Sequence, residues 1–126
     1  MWVLLDECLP RRLKRELVGH DVITVPEAGW SSKKKDEVLS LASGSYDAFI
    51  TIESNLAYQQ RVVGLSFGVL VLRARSNRLA DLQPLVPAIL NALAGLKPGE
   101  IVAVGGQQPH QPDGSARRRS EVRVEG

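Results

Sequence analysis

Five short runs dense in apolar residues, many of them β-branched or aromatic, punctuate the chain: WVLL at 2–5, DVITV at 21–25, AFITI at 48–52, FGVLVL at 67–72 and IVAV at 101–104. The stretches between them are long enough for helices. Strands alternating with helices leave few options, because a crossover returns each strand parallel to the last. FGVLVL is apolar without interruption, as a strand covered on both faces must be. The pattern predicts an α/β fold in three α/β/α layers, with a mostly parallel central sheet of about five strands.

The connecting helices are expected over 9–18, 36–43, 55–62 and 79–96. In the first, Leu9, Leu13, Leu17 and Val18 share one face, Pro10 occupies the tolerant first turn and Gly19 stops the helix. The second carries Val38, Leu39 and Ala42 and stops at Gly44. Pro84 and Pro87 should bend or delay the start of the last, and Lys97-Pro98-Gly99 reads as a turn. No internal repeat is present.

At 126 residues, 44% hydrophobic and 24% charged, the chain has the make-up of one globular domain. That domain is expected over 1–105. The composition then shifts to Gly, Gln, Pro, Ser and Arg, so 106–126 should be a disordered tail, at best with a loose strand at 122–124. The single cysteine, Cys8, leaves no intramolecular disulfide and fits a reducing compartment. With no leader pattern and no apolar run of spanning length, the expected location is the cytoplasm, away from membranes.

A net charge of +2 says little, but its distribution is informative. In a parallel sheet the C-terminal ends of all strands share one edge, where ligands of open α/β sheets bind. Asp6 and Glu7 follow the first strand and Glu53 the third. The loop after the second brings Trp30, Lys33, Lys34 and Lys35, then Asp36 and Glu37 at a helix start. After the fourth come Arg73, Arg75, Asn77 and Arg78. Carboxylates are thus ringed by cations. Crowded carboxylates are relieved by a proton or a divalent cation. Mg²⁺ takes oxygen ligands, commonly one or two carboxylates plus substrate phosphate. Such an ion activates water and stabilises a leaving oxygen, while Lys and Arg hold a phosphate backbone. The same acids have a plainer reading as helix N-caps and dipole partners. Trp30 is either a stacking platform for a base or a cap on the core.

The segments LLDECLPRRLKREL, GHDVITVPEAGW, DEVLSLA, FITIESNL and VLVLRARSNRLADLQPLV, in that order, resemble the short single-domain PIN-like proteins with a VapC-like fold. The resemblance spans about 2–104. It implies an Mg²⁺- or Mn²⁺-dependent endoribonuclease, a toxin restrained by a small antitoxin protein and often a homodimer. Matched by position, Asp6, Glu37 and Glu53 would be the catalytic acids and metal ligands, with Asn55 assisting. Asp36 and Glu7 are neighbours able to help. Lys33, Lys34, Lys35, Arg73, Arg75 and Arg78 are the expected phosphate contacts of the RNA substrate. The family's Thr-Arg-Asp-x-Asp-Phe motif stands here as Thr51-Ile52-Glu53-Ser54-Asn55-Leu56, and Cys8 replaces an asparagine. The longer Glu53 arm and the uncharged Asn55 should weaken metal affinity, which keeps open a second reading: a PIN-like module that binds RNA or a partner without cutting.

Other chemistries fit less well. A Cys8–His20 pair would be separated by a helix of about 18 Å. No glycine-rich phosphate loop follows the first strand. Ser31-Ser32 lack the setting of a nucleophile elbow. A phosphorylated receiver would need aspartate where Glu53 stands, and a lysine after the last strand.

Overall fold

The computed structural model describes residues 1–52 and 64–105. The helix expected at 55–62, Glu53, Asn55, the tail and its strand at 122–124 lie outside the described residues. Five strands form one sheet: β1 (Trp2–Leu5), β2 (Asp21–Thr24), β3 (Ala48–Thr51), β4 (Gly68–Arg73) and β5 (Ile101–Gly105). They lie in the order β2-β1-β3-β4-β5, every pair parallel. All C-terminal ends therefore share one edge, as the alternation requires.

Period-two alternation divides the core between the two faces. Val3, Leu5, Ala48, Ile50, Leu70 and Leu72 point to one, against Leu13, Leu17, Leu82, Ile89 and Leu93. Leu4, Phe49, Val69 and Val71 point to the other, against Val38, Leu39 and Ala42. Phe49, Leu4 and Leu5 are fully buried, and each such side chain contributes about 1.5–3 kcal/mol of transfer free energy.

The first connection differs from expectation. In place of an α-helix over 9–18 the chain forms a 3-10 helix, Arg11–Glu16, with Leu13 N–H donating to Pro10 O at 3.0 Å and Leu17 N–H to Lys14 O at 3.2 Å. A 3-10 helix rises about 2.0 Å per residue against 1.5 Å for an α-helix, so it crosses a short sheet with fewer residues. Leu13 and Leu17 still reach the core. Helix α1 (Lys35–Ala42) covers the opposite face. Between β4 and β5 run α2 (Leu79–Leu82), a 3-10 turn (Gln83–Leu85) and α3 (Val86–Gly95). Pro84 lies in the turn and Pro87 in the first turn of α3, so the prolines do divide the long helical segment.

The crossovers do not share one hand. β1 to β2 and β2 to β3 step in opposite directions by opposite faces, which gives them the same hand. β4 to β5 steps in the direction of β2 to β3, yet passes over the face that carries the 3-10 helix. Its hand is therefore opposite, against the strong preference for uniform right-handed crossovers. The common C-terminal edge is unaffected, since it depends on parallel pairing alone.

Candidate functional site

Strand order reverses between β1 and β3, and the crevice beyond such a reversal is where doubly wound sheets place their ligands. Asp6 stands there, immediately after β1. Its residue is only 5% exposed, and burying a carboxylate is costly unless it is paired and hydrogen-bonded. Three donors supply it. The Glu7 N–H donates to Oδ1 at 2.8 Å, the Thr51 hydroxyl at the end of β3 donates to Oδ2 at 2.6 Å, and Lys35 Nζ donates to the same Oδ2. The ammonium also lies over the Phe49 ring, 5.6 Å from its centre, a cation–π contact.

Lys35 arrives because α1 begins with it. A cation in a first turn opposes the helix dipole, and the ion pair with Asp6 offsets that cost. Asp36 and Glu37 in the same turn favour the dipole. Glu37 Oε1 accepts from Lys34 N–H at 3.2 Å, which is one half of a capping box. Lysine has no acceptor to make the other half. Lys33 and Lys34 are exposed.

The loop after β4 is tied to this edge by Asn77, whose Nδ2 donates to Cys8 O at 2.7 Å. Ser76 Oγ accepts from Arg78 N–H at 3.0 Å and donates to Asp81 at 2.5 Å, which shapes the start of α2. Arg73, Arg75 and Arg78 are exposed alongside. Lys33, Lys34, Arg73, Arg75 and Arg78 are thus exposed in loops at the sheet edge that Asp6 shares, and Lys35 reaches Asp6 itself.

Cys8 is half buried, with Sγ 3.9 Å from Thr51 Oγ1, and burial raises its thiol pKa above the ordinary value. It packs against the core, and its raised pKa favours the neutral thiol. His20 sits at the opposite edge, its Nδ1 3.4 Å from the Met1 amine. Trp30 packs on the core with its ring edge-on to Tyr46, centroids 6.1 Å apart and planes at 76°. Burial raises the Tyr46 phenol pKa.

A shallow cleft of about 390 Å³ is lined by Glu7, Leu9, Arg11, Thr24, Pro26 and Glu27. Glu27 was not among the residues singled out by sequence. It accepts from Lys14 Nζ at 2.8 and 2.9 Å, and Arg11 Nε lies 3.6 Å away. It also exchanges bonds with Thr24: Thr24 N–H to Oε1 at 2.9 Å, and Glu27 N–H to Thr24 Oγ1 at 3.2 Å. The motif Thr-x-x-Glu in TVPE was the available signal.

Oxygen donors such as Asp6 and the Thr51 hydroxyl suit Mg²⁺ or Mn²⁺. Lys35, however, already supplies the positive charge at Asp6. Among the described residues no three of His, Cys, Asp and Glu gather as a metal-binding group. Glu37 is engaged at the start of α1, and the other two expected ligands are outside the described residues. No protein-family model, curated protein or solved structure matches the chain.

Proposed function

We propose that the chain is a PIN-like, Mg²⁺- or Mn²⁺-dependent endoribonuclease. The observation that carries this reading is the buried Asp6 carboxylate at the strand-order reversal, with Lys33, Lys34, Arg73, Arg75 and Arg78 exposed in loops at the same sheet edge. Asp6 would hold the ion, with Glu37, Glu53 and Asn55 as the further ligands that the resemblance implies. A bound ion would supply an activated water and charge stabilisation at a phosphodiester. The chain's own part is to place that charge: Thr51 and the Glu7 N–H fix the Asp6 carboxylate, while the exposed cations hold the RNA backbone. The resemblance extends the proposal to a toxin held by a small antitoxin protein, with a homodimer as its assembly.

A specific observation favours a second reading. Lys35 neutralises Asp6 internally and Glu37 is engaged at a helix start, as in a module that binds RNA or a partner without cutting.

Incubation of a labelled RNA panel with Mn²⁺, Mg²⁺ or EDTA separates the two, with Asp6→Asn purified in parallel. Metal-dependent cutting by the wild type and none by Asp6→Asn is the expected result. Cutting that survives in Asp6→Asn removes this site from the reaction, and no cutting by either protein selects the binding module.

A further inference from the structure

We propose that Lys35 is a displaceable counterion, which makes phosphate and divalent-cation binding at Asp6 mutually dependent. The inference rests on the metal-dependent reading and adds a regulation of that site.

Asp6 Oδ2 carries both the Thr51 hydroxyl and the Lys35 ammonium. A divalent cation at that oxygen would put three positive charges on one carboxylate, so Lys35 and the metal are alternatives. Lys35 has somewhere to go. Its side chain is 19% exposed against 6% for Asp6, and a flexible four-carbon stem can swing the ammonium towards solvent. In water alone that swing breaks a charge-assisted hydrogen bond and leaves the buried Asp6 with the neutral Glu7 N–H and Thr51 hydroxyl but without the ammonium. A phosphodiester at the edge changes the balance. It accepts the ammonium, and the vacated carboxylate takes the cation. At Asp6 the cation takes the place of the ammonium, and the ammonium gains the phosphate as its partner. The exposed Lys33, Lys34, Arg73, Arg75 and Arg78 bring the phosphate to that edge. By linkage, each ligand must tighten the other by the same factor. The metal then settles when RNA is present and is held weakly when it is not.

The test measures Mn²⁺ binding by electron paramagnetic resonance of the free ion. Dimethyl phosphate serves as an unreactive phosphodiester, with methyl sulfate at equal ionic strength as the control anion. For the wild type, dimethyl phosphate should tighten Mn²⁺ binding by about fivefold or more over methyl sulfate, the lower range of ordinary coupling. Lys35→Gln keeps a donor for Asp6 without the charge. It should bind Mn²⁺ tighter than the wild type in methyl sulfate and respond little to dimethyl phosphate. Asp6→Asn should lose the site in every condition. The wild-type titration needs no variant to fold, and thermal melts check the two that are used. Mn²⁺ binding that is lost in Asp6→Asn, equal in wild type and Lys35→Gln, and unmoved by dimethyl phosphate overturns the displacement while sparing the metal site. Absence of Mn²⁺ binding in all three proteins overturns both.

Discussion

Lys35, the first residue of α1, donates to the carboxylate of Asp6 at the end of β1, 29 residues away in sequence. This contact fastens the layer formed by α1 to the sheet at the edge where the strand order reverses. It pairs a buried anion with a cation of low exposure, 6% and 19% by side chain. Such pairs are costly to break from one side, because the partner left behind is buried without compensation. Lys35→Met should therefore lower stability by about 2–4 kcal/mol. Asp6→Asn leaves a lysine that can reach solvent and should cost less, about 1–2 kcal/mol. Urea melts of both single variants and the double variant check this, with an expected coupling of about 0.5–3 kcal/mol. Additive losses would mean that the two side chains do not interact.

The Lys14–Glu27 contact gives a pH dependence of defined sign. The hydrogen bond from Lys14, then that from Thr24 N–H, pulls the Glu27 carboxyl from its ordinary 4.5 down to about 2. A depressed folded-state pKa means that stabilisation is fully present above pH 4.5 and lost as pH falls towards 2. Glu27→Gln should lower the urea midpoint at neutral pH, with the gap to the wild type closing across that acid window. A gap that widens on acidification would contradict the pairing. Because the pair joins the 3-10 helix to the end of β2, a loosened cleft beside Glu7 should accompany the loss.

Much of this was legible in the sequence because it follows from local pattern. β1 and the core positions of α1 fall where predicted, and the other described strands agree to within a residue or so at their ends. Pro84 and Pro87 divide the last helical segment as their chemistry demands. Asp6 was identifiable because parallel topology places whatever follows β1 on the ligand edge. What sequence could not supply was long-range. Nothing in a lysine run says that Lys35 turns inward to Asp6 while Lys33 and Lys34 face solvent; that depends on where α1 lands. Thr51 looked like one more β-branched strand residue until β3 was set beside β1. Trp30 had two readings, and its packing against Tyr46 supplies the core contact that one of them requires. The 3-10 helix keeps the leucine spacing of the expected α-helix, and that spacing does not distinguish the two.

Gly68 is required by close packing. A Cβ there would meet Leu96 Cγ at 2.5 Å and the Lys97 carbonyl oxygen at 2.7 Å. A leucine side chain can shift, but the backbone oxygen cannot without moving the turn before β5. Gly99 N–H donates to Phe67 O at 2.9 Å in the same turn, so displacement would also strain the start of the β4–β5 pairing. Gly68→Ala should destabilise by about 1–3 kcal/mol, measured by thermal melting. A change below about 0.5 kcal/mol would show that the turn yields readily.

The exposed arginines after β4 offer a check on RNA contact that does not depend on cleavage. Asn77 holds their loop to Cys8 O at the Asp6 edge, so a phosphate backbone bound there should meet Arg73, Arg75 and Arg78 together. Each phosphate contact to a single strand releases counterions and contributes about 0.7 to the slope of log affinity against log salt. Replacing all three by alanine should then reduce that slope by about 2 and weaken binding of unrelated RNA sequences alike. The substitutions lie on exposed side chains, so folding should be unaffected, which a melt confirms. An unchanged slope would mean that RNA approaches by another face, and would leave these arginines as ordinary solvated surface. A reduced slope in a protein that cuts nothing would instead assign this edge to binding, with Lys35 as the standing counterion of Asp6.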